Sequence, residues 1–98
     1  MNQRIDVELE GRGWRKIATG TWYYDRIVPM PISVWTKPPH LASSRYDEDD
    51  RLDENAPIPA TVDGFLYCCT PNAGGDHQTV EAAKAAADTQ PWGPVRWD

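Results

Sequence analysis

The chain has 98 residues, 40% of them hydrophobic, with five Trp, four Tyr and one Phe, and it carries a net charge of −5. That length suits a single domain, residues 1–98, with one modest core in which a few aromatic side chains do most of the burying. The negative balance disfavours direct binding to nucleic-acid phosphates or anionic membranes, and no apolar run approaches the about 20 residues of a membrane span.

The first predicted element is a strand. Ile5, Val7 and Leu9 alternate with Arg4, Asp6, Glu8 and Glu10, the period of two expected when one sheet face is buried and the other is wet. Gly11, Arg12 and Gly13 then supply a turn, and Trp14 to Thr19 returns as its partner in a hairpin. After Gly20, the residues Trp22, Tyr24, Val28, Met30, Ile32 and Val34 fall on even positions, giving one long strand or two with a bend near Asp25 and Arg26. Pro29 and Pro31 share the odd set, so both missing N–H donors point the same way and mark an unpaired edge.

Residues 37–59 read as a long irregular acidic loop within the domain. Lys37, Pro38, Pro39 and His40 open it, Pro57 and Pro59 close it, and Ser44 offers a cap for one helical turn. Residues 1–40 hold six Lys/Arg against four Asp/Glu, whereas residues 41–98 hold four against eleven, so the acid belongs to the second half. Gly64 to Thr70 is apolar on both parities, with Phe65, Tyr67 and Cys69 on one face and Leu66 and Cys68 on the other, which suits a central strand covered on both sides.

Beyond the loop from Pro71 to Gly75, Thr79 is the expected N-cap of an alanine-rich helix, with Asp76 as its rival and Glu81 in the first turn. Val80, Ala83 and Ala87 form its inward stripe, while Glu81, Lys84 and Asp88 point away. Gln90, Pro91, Trp92 and Gly93 stop it, and Val95 and Trp97 alternate as a short terminal strand. The fold class is therefore α+β: a small twisted antiparallel sheet of about four or five strands, one C-terminal helix packed on it, and the long acidic loop.

Candidate chemistry is sparse. Cys68, Cys69, His77 and Asp76 are the cluster nearest to a nucleophile with its base, yet both thiols sit in the most apolar strand, where cysteine acts as a small hydrophobe. A metal site built from these cysteines with His40 and His77 fails on geometry, because adjacent strand residues face opposite ways. A calcium loop beginning at Asp47 would need Gly at Leu52 and Glu at Ile58. Asn72 to Asp76 lacks the Lys and hydroxyl of a phosphate loop. No catalytic residue, cofactor or metal is expected.

Two features point to a protein partner. Asp47, Glu48, Asp49, Asp50, Asp53 and Glu54 form a negative patch, and Trp35 shares the odd strand face with prolines and Ser33, where it is free for contact. The helix Thr79, Val80, Glu81, Ala82, Ala83, Lys84, following aromatic-rich strands, resembles the closing helix of short phage and prophage proteins. The resemblance covers about twenty residues, transfers no site residue, and implies an accessory protein of a mobile element. The expectation is a non-enzymatic acidic interaction module, an inhibitor or decoy for a basic surface of a nucleic-acid-handling protein, with a small enzyme using Cys68 or Cys69 with His77 as the alternative. The adjacent cysteines imply reduced thiols, and with no apolar signal segment at the amino terminus the expected compartment is the cytoplasm. A monomer is expected, or a weak homodimer joined along Val28 to Val34.

Overall fold

The computed structural model describes residues 3–98 and runs α1 (Gln3–Gly11), β1 (Arg15–Tyr24), β2 (Val28–Lys37), two 3-10 turns (Pro39–Leu41 and Ser43–Arg45), β3 (Leu66–Thr70), α2 (Val80–Asp88) and β4 (Arg96–Trp97). The strands form one antiparallel sheet in the order β3-β2-β1-β4, an open α+β arrangement.

The expected first strand is instead a helix. Gln, Glu, Leu and Arg are good helix formers, and in so short a segment Ile5 and Leu9 satisfy a helical i, i+4 spacing as well as an alternating one. The side chains of Arg4 and Ile5 lie outside the described part, but Val7 is 68% exposed, as no buried sheet face would leave it. Gly13, at φ +92, closes the helix end, where Trp14 N–H donates to the Leu9 carbonyl. The hairpin proposed around Gly11 to Gly13 is therefore absent, and β1 pairs with β2 along its length.

The break near Asp25 and Arg26 is the turn of this long hairpin, both residues holding left-handed φ values of 52 and 61. Pro29 and Pro31 lie on the part of β2 that has β1 on one side and no strand on the other, since β3 pairs only with Ser33 to Lys37. β3 is thus an edge strand, not the central one. Its two-sided burial comes from covering layers: α2 on one face and the returning loop on the other. Its outer edge is blunted by reciprocal backbone bonds between Tyr67 and His77.

On the helix face, Ile32, Val34 and Cys69 meet Ala83 and Ala87, with Ala73 and Val95 completing the buried cluster. Alanines let the helix axis come close, and Trp22, Trp92 and Trp97 fill the flanks of that thin rod. Thr79 is the N-cap, its hydroxyl accepting from Ala82 N–H at 3.1 Å. Lys84 and Asp88 do not simply point away: Lys84 lies over the Trp97 ring, and the Asp88 carboxylate accepts from Val95 N–H at 2.9 Å and Trp97 Nε1 at 3.3 Å. These bonds bring β4 against β1, where only glycine fits; a Cβ on Gly20 would stand 2.9 Å from the Arg96 carbonyl.

The opposite face holds Trp35, Lys37, Leu66 and Cys68, all buried. Trp35, expected to be free, is fully buried: Trp14 meets its ring edge-on at 6.4 Å, Lys16 lies over it, and its Nε1 donates to Thr70 Oγ1 at 2.9 Å. The odd face reads as polar because its cover comes from distant sequence. Lys37, expected to open the loop, ends β2 with its ammonium enclosed, 2.6 Å from Asp76 and 3.0 Å from the Ser43 hydroxyl. That pairing explains why Asp76 leaves the capping role to Thr79.

Candidate functional site

The core ends before the hairpin does. Beyond Ile32 and Trp22, the β1–β2 hairpin continues without α2 above it or the loop below, and the molecule measures 44 × 27 × 24 Å. Tyr24 is 63% exposed and Ile27 75%, with Tyr23, Val28 and Met30 also open. The hairpin thus carries a bare apolar end in a chain that is otherwise polar.

Beside that end runs a groove of about 820 Å³. One wall is Trp22 to Arg26; the other is Pro91 to Arg96, held in place by the Asp88 carboxylate. Trp22 and Trp92 form its aromatic floor, their ring centroids 4.9 Å apart and tilted by 46°, and Tyr24 meets Trp22 edge-on at 6.5 Å. This size and lining match those of ligand and peptide clefts.

The backbone adds a directional feature. Asp98 N–H donates to the Thr19 carbonyl at 3.0 Å, so odd residues of β1 turn their backbone groups toward β4. Thr21 pairs there with Arg96, and the continued register sets Tyr23 against Pro94, whose missing N–H leaves the Tyr23 carbonyl without a ladder donor. The ladder stops, and the Tyr23 N–H meets no acceptor among the described residues; its carbonyl keeps only a long 3.4 Å bond from Arg26 N–H. Arg26 and Arg96 also line this groove, and neither forms an ion pair among the described residues.

The six acids of the loop are all exposed, and the segment is built, not loose. Arg45 is 6% exposed and its guanidinium donates to three backbone carbonyls, those of His40, Glu54 and Ala56. Tyr46 bridges to Leu52, and the Asp47 carboxylate accepts from the N–H groups of Asp49 and Arg51. The 3-10 turn expected from a Ser44 cap forms at Ser43–Arg45 with Ala42 as its N-cap. A second, smaller hollow of about 320 Å³ sets Asp47 and Asp50 beside Arg12 and Lys37. Trp35 takes no part in this surface.

The thiols sit apart from both features. Burial pushes Cys68 up to about 12 and Cys69 to about 11, so neither is a thiolate near neutral pH. Cys69 points its sulfur at the Ala83 carbonyl, and the His77 ring is bonded to the Ala73 carbonyl at 2.8 Å. Among the described residues no three side chains converge as metal ligands, and no helix is long and apolar enough to cross a membrane.

Sequence reasoning missed the groove because it joins residues 22–26 to residues 91–96, whose neighbourhood depends on the Asp88 bonds. The Trp22 and Trp92 indoles and the Pro91, Pro94 pair were the available signal. Comparison with protein-family models, with curated proteins and with solved structures finds no match.

Proposed function

We propose that this chain is a non-enzymatic protein-interaction module whose contact surface is the bare end of the β1–β2 hairpin with its adjoining aromatic groove. The observation that carries this reading is the exposure of Tyr24, Ile27 and Val28 beyond a core that buries the same two strands a few residues away. Solvation of that apolar end is unfavourable by about 25 cal/mol per Å², which a partner recovers on binding. The test is capture of proteins from a cell lysate by the immobilised chain, compared with the double variant Tyr24→Glu, Ile27→Glu. The variant should lose the captured species; identical capture by both proteins would end the reading.

A second reading has its own support. The acidic loop, clamped by Arg45, displays Asp47, Glu48, Asp49 and Asp50 on an ordered frame, so less entropy is lost when it docks on a basic surface of a nucleic-acid-handling protein. In this form the chain is an inhibitor or decoy of the kind encoded by mobile elements. Neutralising those four acids to Asn and Gln should abolish capture at low salt while sparing any species held by the hairpin.

A further inference from the structure

We infer that the groove between β1 and the 91–96 segment binds a short extended peptide carrying carboxylates, added as a partial strand along β1. This inference rests on the hairpin-end reading above and names its ligand.

Three features of the groove select that ligand. Among the described residues the Tyr23 N–H, like those of Asp25 and Trp92 on the same groove, has no acceptor, and it is the one carried by a strand, aimed to the side where β4 has stopped. The facing wall carries Pro91 and Pro94, which lack donors, so it offers no regular row of N–H groups, and an occupant finds a strand edge to extend only along β1. Its charges are Arg26 and Arg96 against Asp25, a local +1 on a chain of −5. With no acid paired to either guanidinium among the described residues, both are available for bidentate contact with a carboxylate. Between these polar points, the Trp22 and Trp92 floor accepts an apolar side chain. An extended segment with alternating acidic and apolar residues satisfies all three, because its side chains alternate in the same period as the strand beside it. Single-stranded nucleic acid also stacks on aromatics, but it has no alternating N–H and carbonyl main chain with which to continue a strand ladder beside β1.

The experiment titrates the intact chain, followed by Trp fluorescence, with the acetylated pentapeptide Asp-Leu-Asp-Phe-Asp and its Lys-for-Asp counterpart. The acidic peptide should saturate and bind at least tenfold more tightly than the basic one. Tyr23→Pro, which removes the free N–H without touching the β1–β2 ladder, should weaken it about tenfold, and Arg96→Glu should reverse the charge preference. Should Tyr23→Pro fail to fold, hydrogen exchange on the unaltered chain decides: the Tyr23 amide must exchange fast when free and slow once peptide is bound. Equal affinity for both peptides, an unprotected Tyr23 amide at saturation, or tighter binding of a deoxythymidine decamer would each overturn the inference. Those results leave the hairpin-end reading standing if Tyr24→Glu, Ile27→Glu still abolishes capture, so the two failures are distinguishable.

Discussion

The two halves of the β1–β2 hairpin share one ladder yet live in different solvents. Near Ser33 to Lys37 the sheet lies between α2 and the returning loop, and Val34 and Trp35 have no exposure at all. Near Tyr24 to Met30 the same two strands carry equally apolar side chains into water. Backbone pairing alone is thus enough to carry the hairpin outward, while burial is concentrated at one end. A small domain has little core to spread, and here it is spent on one end of the hairpin.

The sharpest way to break the contrast is to hollow out the covered half. Trp35→Ala should lower unfolding free energy by about 3–5 kcal/mol, read by denaturant titration, because it removes a fully enclosed ring together with its Thr70 bond. Asp76→Asn should cost about 3 kcal/mol by the same measurement, since it strands the enclosed Lys37 ammonium beside Trp14. By contrast, Ile27→Ser in the open half should stay within about 0.5 kcal/mol. If Ile27→Ser cost as much as Trp35→Ala, the two halves would not differ as described.

The covered half also sets a pH limit. Cys68 and Cys69 keep their protons in the fold to about 12 and about 11, against an ordinary value of 9.0. Their folded values are raised, so their contribution is complete below pH 9 and is lost as pH climbs, because the unfolded chain releases protons that the fold retains. Stability should be flat in this respect from pH 6 to 8 and then fall above about pH 9, by about 1.4 kcal/mol per pH unit for each thiol. Cys69→Ala should remove one share of that slope. A native chain that reacted with a thiol reagent near pH 7 as fast as its unfolded form would contradict the burial and revive cysteine chemistry.

Legibility in the sequence followed the same division. The helix from Val80, its Thr79 cap, the Ala83 and Ala87 stripe and the bend at Asp25 and Arg26 depend on neighbours within a few residues, and these could be read directly. Trp35 and Lys37 could not: what encloses them is Trp14 from before β1 and Ser43 and Asp76 from after β2. The α1 segment misled because a seven-residue alternation is compatible with either period, and only the absence of a neighbouring strand decides. The acidic residues were located correctly on the surface, but the Arg45 clamp that orders them joins His40 to Ala56 and has no local signature.

A small expected gain tests why the open half keeps a costly turn. Arg26 holds a left-handed φ of 61, which an ordinary L-residue adopts at a cost of order 1–2 kcal/mol and glycine adopts freely. Arg26→Gly should therefore stabilise the chain by about 0.5–1 kcal/mol after the extra freedom of glycine in the unfolded chain is set against the relieved strain. If Arg26 serves the groove, the same variant should bind the acidic pentapeptide more weakly even as its melting temperature rises. Opposed changes in stability and binding would mean that the strain is kept for contact. A variant that gained in both would show the guanidinium to be incidental, and Arg96 would be left as the groove's sole cation.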